Sequence, residues 1–453
     1  MAPLPDRIPA LLPRGSGHQF VVYGDACSGV PDAPHERSFA QVNAVVRRLA
    51  PPPEFIVFTG DEIVGLSAQP DELRRQWRHW LDREMAWLDR RAMPLWHATG
   101  NHTTYDPMSE AVFRDVLGMP RNGPPGQDGL SYWVRRDDLL LVFVHTLWSG
   151  LGGEGHVETQ WLDALLRQHA DARYKLVVGH HPAFSVNGFA GAYQRDIGPE
   201  HAGAFWDTLV AHGVLAYLCS HILAFDVQVH RGVLQICTAG AGTLHRMPEG
   251  FEYLHCAQLA LDADGLRYQV VDTDGAVREN LAWPPALPIR TMWRDIPLGE
   301  TAAAIAGGGN DRIVGLRFKG CVASGHAGVA QTLLSAFDPD VLAPLWIGIC
   351  GPDQVLTVTI GPEAGRSPHY WYGSAMAAGQ DFAITLLLHP GMGPGGVLCR
   401  MGDDSAWSSL TAASPWGVER LAWPSRWSVG HGQHGPDDRR FAGPALVASM
   451  LLV

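Results

Sequence analysis

The sequence has no run of about 18 consecutive apolar residues, so we expect no membrane-spanning helix. Cationic residues are also few. The sequence has 34 Lys and Arg residues and 46 Asp and Glu residues. The resulting net charge of −12 argues against binding to a nucleic-acid backbone. The seven cysteines lack paired spacing, which indicates free thiols in a reducing compartment. The N-terminal stretch lacks the continuous apolar region of a signal peptide, so we expect a cytoplasmic protein.

The first 280 residues alternate short apolar runs with helical patterns, which predicts an α/β layer fold. Apolar positions at helical spacing mark helices over 36–50 and 71–91. Strands are predicted at six apolar runs, 20–24, 55–60, 95–100, 139–145, 175–180 and 214–220. We expect an N-terminal tail over 1–17 and one domain over 18–280.

The character of the sequence changes after the proline-rich stretch 281–290, which predicts a linker over 281–298. Beyond it, helical periodicity nearly disappears and short strand-like runs alternate with Gly, Pro and Asp. This pattern predicts an all-β sandwich over 299–453.

Polar residues follow the predicted strands of the first domain at the points where those strands end. The motifs are GDACSG (24–29), GDEIVG (60–65), GNHTT (100–104), GHHPAF (179–184) and SHIL (220–223). Any one of them alone is typical of a turn. Ligands of open α/β sheets bind at the carboxyl ends of strands, so five such motifs in order predict a divalent-metal site.

With these motifs, residues 18–280 resemble the calcineurin-like metallophosphoesterases, and most closely their purple acid phosphatase branch. The stretch GVLAYLCSHILAFDVQVHRGVLQICTAGAG (213–242) is similar to that branch around its last metal motif. The resemblance implies a four-layer αββα sandwich with a two-metal centre that hydrolyses phosphate esters. It also implies roles for six residues: Asp61, Asn101, His180 and His221 at metal two, Asp25 at metal one, and His102 above the substrate.

Three departures from the family pattern fall on metal one. Leu223 stands where the family has the second histidine of its last motif. Cys27 stands where the first motif often has a histidine, and Val64 where the purple branch has a tyrosine. We therefore expect one intact and one impaired metal position, with a single tightly bound Fe, Mn or Zn ion. Cys27 is either a buried thiol or a thiolate ligand; His181, His230, His245 and Asp226 are weaker candidates to replace the lost ligands.

Three hypotheses follow for the function. The first is metal-dependent hydrolysis of a phosphate ester of a small soluble substrate, with Asp25 as base or orienter of water and His102 as acid. The second is a mononuclear Fe, Mn or Zn enzyme on the same fold that catalyses a lyase, isomerase or oxidative step. The third is a metal-binding pseudoenzyme.

The C-terminal stretches 381–400 and 426–453 resemble laminin G-like, concanavalin-type domains. This resemblance implies a jelly-roll-type β-sandwich that packs or oligomerises, and it leaves open a homo-oligomer formed through this domain. The expected partner is a small, phosphorylated molecule. We expect no binding to nucleic acid or to a membrane.

Overall fold

The computed structural model describes residues 4–148, 155–186, 196–243, 252–285, 293–296, 301–303, 313–324, 328–338, 341–361, 368–402, 405–414, 416–418, 426–431, 439–443 and 445–452. The chain divides into two compact units. The first comprises 1–186, 190–226 and 233–285, and the second comprises 187–189, 227–232 and 286–453.

Two six-stranded sheets, a two-stranded sheet and five α-helices make up most of the described part of the N-terminal region. Its strands are β1 (Ile8–Pro9), β2 (His18–Tyr23), β3 (Leu49–Ala50), β4 (Ile56–Phe58), β5 (Leu95–His97), β6 (Tyr132–Arg136), β7 (Leu139–Phe143), β8 (Tyr174–Val178), β9 (Ala216–Cys219), β10 (Phe225–His230), β11 (Val233–Thr238), β12 (His255–Asp262), β13 (Gly265–Asp272) and β14 (Val277–Trp283). The helices are α1 (Pro34–Val46), α2 (Pro70–His79), α3 (Pro107–Leu117), α4 (Thr159–Gln168) and α5 (Pro199–Ala211).

The strand order is β14-β13-β12-β2-β4-β5 in one sheet and β10-β11-β9-β8-β7-β6 in the other. The strands β2, β4 and β5 are parallel neighbours, and so are β7, β8, β9 and β11. Every residue of β2, β4 and β7 is buried, because parallel strands are covered on both faces. Parallel pairing also brings the carboxyl ends of these strands to one edge of each sheet.

The predicted mixed α/β class is confirmed, and each of the six predicted apolar runs contains a strand. The structure differs from the predicted helix over 71–91, where α2 ends at His79 and a π-helical turn follows over Trp80–Glu84. The turn keeps Trp80 fully buried, as Trp77 is one turn earlier. Strand β1 lies in the segment predicted as a tail, and it pairs with β3. Strand β14 extends into the predicted linker.

An aromatic cluster fixes α1 and the π-helical turn against the first sheet. The Phe39 and Trp80 rings stack with their centroids 5.7 Å apart, and the Phe58 ring of β4 meets Trp80 edge-on at 5.5 Å. All three side chains are completely buried. Their contacts anchor β4, and with it the loop that follows, to the helical layer.

The second unit is rich in strands, which confirms the predicted β-rich C-terminal region. Its strands are β15 (Arg294–Ile296), β16 (Thr301–Ala303), β17 (Val314–Cys321), β18 (Gln331–Asp338), β19 (Val341–Cys350), β20 (Val355–Ile360), β21 (His369–Ala375), β22 (Asp381–Leu388), β23 (Val397–Met401), β24 (Ser408–Ser409), β25 (Thr411–Ala412), β26 (Arg426–Val429) and β27 (Leu446–Leu452). They form sheets with the orders β15-β27-β17-β22-β23-β24 and β16-β26-β18-β19-β20-β21-β25. Buried apolar side chains of both sheets belong to one cluster.

Within the described ranges, no helix is long and apolar enough to cross a membrane.

Replacing Phe39 by Ala should lower the free energy of unfolding by about 3–5 kcal/mol, because it removes a fully buried ring from the aromatic cluster. Urea unfolding followed by near-UV circular dichroism measures the change. The control is Leu12→Ala, at a side chain that is 47% exposed, which should change stability by less than about 0.5 kcal/mol. Equal effects of the two substitutions would contradict the proposed importance of the cluster.

Candidate metal centre

The loops after β2 and β4 run side by side and are joined through their main chains. The Asp25 amide donates to the Gly60 carbonyl at 3.0 Å, and the Cys27 amide donates to the Asp61 carbonyl at 2.8 Å. An isolated β-bridge between Ser28 and Ile63 continues the pairing. The side chains of Asp25, Cys27 and Asp61 are thereby set near one another by backbone contacts alone.

Four of the candidate residues have left-handed backbone conformations. The φ angles are 61° at Asp25, 41° at Cys27, 58° at Asp61 and 68° at His221. Such angles are uncommon for residues other than glycine, and each costs on the order of 1–3 kcal/mol. The paired loops hold Asp25, Cys27 and Asp61 in this conformation, and such strain is found preferentially at functional sites.

Asp61, Asn101, His180 and His221 bring their side chains together from four different strand ends. Oδ1 of Asn101 lies 3.0 Å from Nε2 of His180 and 2.9 Å from Nδ1 of His221. Oδ2 of Asp61 lies 3.2 Å from Nε2 of His180, and the two imidazole nitrogens are also 3.2 Å apart. The other three potential metal ligands therefore all lie within 3.2 Å of Nε2 of His180.

The tautomer of His180 shows what this point requires. Its Nδ1 lies 3.0 Å from the carbonyl oxygen of Thr59, to which it donates a hydrogen bond. In the neutral ring Nε2 is then an acceptor, yet it faces the oxygens of Asp61 and Asn101, which are acceptors too. A positive charge at the centre, either a proton or a bound cation, makes the contact with the Asp61 carboxylate favourable.

The electrostatics agree with this requirement. Burial lowers the pKa of His180, but the Asp61 carboxylate raises it more, so that the pKa rises to about 9. For Asp61, burial alone would raise the pKa, but the charge of His180 and the hydrogen bonds to the carboxylate hold it well below its usual range. The separations of 2.9–3.2 Å are close to the ~3.4 Å edge of a tetrahedral zinc site with bonds of ~2.1 Å. The residues present fit a divalent transition metal.

Asp25 lies beside this centre. Its Oδ2 accepts a hydrogen bond from the His221 amide at 2.9 Å, and a carboxylate oxygen lies within 4.8 Å of donor atoms of Asp61 and His180. Burial and the neighbouring Asp61 carboxylate raise the pKa of Asp25 to about 6, although the charge of His180 opposes the rise. The structure thus gathers all five residues predicted as metal ligands.

His102 also borders the centre. Its amide donates to Oδ1 of Asp61 at 2.8 Å, and its Nδ1 donates to the Val64 carbonyl, with a separation of 2.6 Å. The side chain is half-buried. Because Nδ1 is committed to a carbonyl, Nε2 is the ring atom left for an ion or a substrate.

The positions that depart from the family pattern are now located. Leu223 is buried and Val64 half-buried, and neither can bind a metal. Cys27 is buried, with its sulfur within 4.8 Å of donor atoms of Asp61 and His102. His181 offers a ring nitrogen within 4.8 Å of ring nitrogens of His180 and His221.

The other predicted replacement ligands lie either outside the potential metal clusters or outside the described residues. Nε2 of His230 contacts Oε1 of Gln228 at 2.9 Å, and neither His230 nor Asp226 belongs to any potential metal cluster found among the described residues. His245 lies outside the described residues.

Two residues that the sequence did not single out orient the centre. Ser220 donates from Oγ to the Thr59 carbonyl at 2.8 Å and lies 3.1 Å from Nδ1 of His180. The Thr59 carbonyl therefore holds both residues. A main-chain acceptor leaves no signature in a sequence, although the position of Ser220 directly before His221 was visible.

Glycine is needed at two motif positions because the backbone approaches a ligand closely. A Cβ at Gly100 would overlap Oδ1 of Asp61, and a Cβ at Gly60 would lie 2.7 Å from Nδ1 of His180. Gly60 also has a φ of 103°, which only glycine adopts readily. Glycine at these two positions therefore lets the backbone pass close to Asp61 and His180.

Comparisons with known proteins found no matching family model and no matching curated protein. Among solved structures, the chain is similar to the purple acid phosphatase PPD1 of yellow lupin seeds, with 12% identity and a TM-score of 0.44 over 59% of this chain and 53% of that one. It is also similar to GAP50, the anchor in the inner membrane complex of Plasmodium, with 15% identity and a TM-score of 0.40 over 59% of this chain and 88% of that one.

A third similar structure is a putative 5'-nucleotidase from Staphylococcus aureus, with 14% identity and a TM-score of 0.36 over 57% of this chain and 54% of that one. The chain thus spans about half the length of the phosphatase and of the nucleotidase. Since these likenesses are distant, the chemistry of the site has to be argued from its own residues.

Replacing Gly100 by Ala should abolish metal binding while the protein stays folded, because the added methyl group displaces the Asp61 carboxylate. Elemental analysis of the purified variant, with circular dichroism as the folding check, measures this. The matched control is Gly203→Ala in α5, where the new methyl group meets open space. A Gly100→Ala protein that retains its metal would show that Asp61 is not a ligand.

Proposed function

We propose that this protein is a metal-dependent hydrolase of phosphate esters of the calcineurin-like metallophosphoesterase type, with one intact and one impaired metal position. The observation that carries the proposal is the convergence of Asp61, Asn101, His180 and His221. Nε2 of His180 lies 3.0–3.2 Å from atoms of the other three residues, and Oδ1 of Asn101 lies 2.9 Å from Nδ1 of His221. Hard oxygen and imidazole ligands suit Fe, Mn or Zn.

The finer architecture belongs to the same proposal. The two six-stranded sheets are in keeping with a four-layer αββα sandwich of the purple acid phosphatase branch over 18–280. The strand-rich second unit is in keeping with a laminin G or concanavalin-like jelly roll over 299–453. Strand β15 joins one of its sheets from within 281–298, the stretch predicted as a linker. Its two antiparallel sheets share one apolar cluster, as this architecture requires.

Asp61, Asn101, His180 and His221 would hold the ion. When bound, a divalent ion supplies a Lewis acid that polarises a phosphoryl oxygen and makes water more acidic. The Thr59 carbonyl fixes His180 through Nδ1, as ligating histidines usually require. These contacts hold the ligand set in position before any ion or substrate arrives.

Asp25 is proposed to orient the attacking water and to accept its proton. The His221 amide fixes one oxygen of this carboxylate, so that the group has a defined direction beside the ligand set. A carboxylate positioned within hydrogen-bond reach of water is a suitable general base.

His102 is proposed to contact the phosphoryl group and to give a proton to the leaving oxygen. The hydrogen bond from Nδ1 to Val64 fixes the ring, and Nε2 is then the atom that carries and releases the proton. The amide of the same residue is bonded to Asp61, so the proton donor and the ligand set are held in fixed relation.

A second candidate function rests on the composition of the ligand set. His180, His221 and Asp61 are two histidines and one carboxylate, a set that also serves mononuclear iron enzymes. The same protein would then catalyse a lyase, isomerase or oxidative step. Activity that depends on Fe(II) and oxygen, with no release of phosphate from esters, would favour this alternative.

Replacing His221 by Ala should remove both the bound metal and the hydrolysis of p-nitrophenyl phosphate, because it deletes a ligand of the intact position. Metal content and turnover are measured on the same preparation. His212→Ala is the control, since this histidine pairs with Asp163 at the surface and should keep both properties. Hydrolysis that survives in His221→Ala would place the active site elsewhere.

Replacing Leu223 by His should increase the metal content per chain and raise the turnover of p-nitrophenyl phosphate. Leu223 follows His221 closely, at the position where a ligand of the impaired site is expected. Leu223→Phe is the matched control, because it introduces an aromatic ring without a nitrogen that could bind a metal. An unchanged metal content in Leu223→His would contradict the view that this leucine accounts for the impaired position.

A further inference from the structure

We propose that Glu36, His79 and Glu84 form a site for Zn²⁺ or a similar divalent transition-metal ion, which we call the helical site. Nε2 of His79 lies 2.7 Å from Oε1 of Glu36 and 3.6 Å from Oε1 of Glu84. The three residues offer ligand atoms within 4.8 Å of one another, and none of them belongs to the ligand set around His180. The helical site therefore does not depend on the proposed hydrolysis.

The π-helical turn after α2 brings two of these residues to one side. The Met85 amide donates to the Trp80 carbonyl at 2.9 Å, five residues back instead of the four of an α-helix. In an α-helix, two residues five apart, such as His79 and Glu84, would point ~140° away from each other. The wider turn lets both reach the same ion, and single π-helical turns are frequent at functional sites.

The Glu84 carboxylate is the group of the helical site that most needs a cation. Its side chain is only 4% exposed. Oε1 accepts hydrogen bonds from Oγ of Ser28 at 2.8 Å and from the Gly29 amide at 3.0 Å. Oε2 is buried and has no hydrogen-bond partner among the described residues. Burying a charged oxygen in this way is costly, and a coordinated cation offsets the cost.

The electrostatics of the two carboxyl groups agree with this need. Burial raises the pKa of Glu84, although the hydrogen bonds from Ser28 and Gly29 oppose the rise. For Glu36, burial acts in the same direction, but the hydrogen bond from His79 outweighs it and lowers the pKa. Glu36 therefore presents a charged carboxylate, and a cation beside it would also hold Glu84 in its charged form.

The helical site joins three segments of the chain. Glu36 belongs to α1, while His79 ends α2 and Glu84 ends the π-helical turn. Glu84 also holds the loop after β2 through Ser28 and Gly29. An ion at the helical site would cross-link these segments, and an ion that binds only the folded chain stabilises it.

The ligand set defines the ion and its strength of binding. Two carboxylates and one imidazole suit Zn²⁺, and water completes the coordination because the His79 and Glu36 side chains are 19% and 28% exposed. The ion replaces the proton that Nε2 of His79 donates to Glu36, and this proton is released to solvent. The helical site has one protein ligand fewer than the set around His180, so we expect weaker binding and loss of the ion during purification without added zinc.

A Zn²⁺ titration of the purified protein by isothermal titration calorimetry tests the helical site. We expect the wild-type protein to bind one equivalent more than Glu84→Gln, because Gln keeps the acceptor for Ser28 and Gly29 but carries no charge. Saturating zinc should also raise the Tm of the wild-type protein by at least ~3 °C more than that of the variant. Glu72→Gln is the matched control, since this glutamate pairs with Arg75 at the surface of α2 and should leave both results unchanged.

Equal zinc binding by the wild-type protein and Glu84→Gln would overturn the proposal, whatever metal the set around His180 holds. Anomalous diffraction at the zinc edge, from crystals of the wild-type protein grown with Zn²⁺, makes the test independent of whether the variant folds. A peak ~2.1 Å from Nε2 of His79 is expected. Crystals that show zinc elsewhere but no peak beside His79 would also overturn the proposal.

Discussion

The buried carboxylate of Asp61 is the group on which the site depends. A buried charge is costly unless it is paired, and Asp61 is only 2% exposed. His180 lies against one of its oxygens and the His102 amide against the other. The rest of the centre follows from this need, because the residues that neutralise the carboxylate are those that would also surround an ion. Removing either contact would leave one oxygen of the buried carboxylate without that partner.

The positions of these groups come from the backbone. Parallel strands bring their ends to one edge, and the loops after β2 and β4 are paired through amides and carbonyls. This pairing maintains left-handed conformations at Asp25, Cys27 and Asp61. The strain is compensated by buried strands and by the aromatic cluster behind them, so that a stable core supports an unfavourable but useful local geometry.

Much of this arrangement was predictable from the sequence. Apolar runs followed by Gly-Asp, Gly-Asn or Gly-His located the strand ends, and the strand-end rule predicted a metal site there. The resemblance to the metallophosphoesterases implied that Asp61, Asn101, His180 and His221 would meet at it. The role of the Thr59 carbonyl was not predictable, because it depends on a main-chain atom. The π-helical turn after His79 was also missed, since Trp80 continues the apolar pattern of an ordinary helix while the backbone changes its pitch. Pairing of β1 with β3 involves only two residues in each strand, too few for a periodic signal.

The main-chain pairing of the two loops has a consequence for how the site can evolve. Because amide and carbonyl groups make these contacts, the identity of the side chain at Cys27 or Val64 does not determine where Asp61 lies. Single substitutions at such positions can therefore exchange one kind of ligand for another while the frame stays in place. A fold built in this way can acquire, lose or alter a metal preference in separate mutational steps, and the protein still folds after each step.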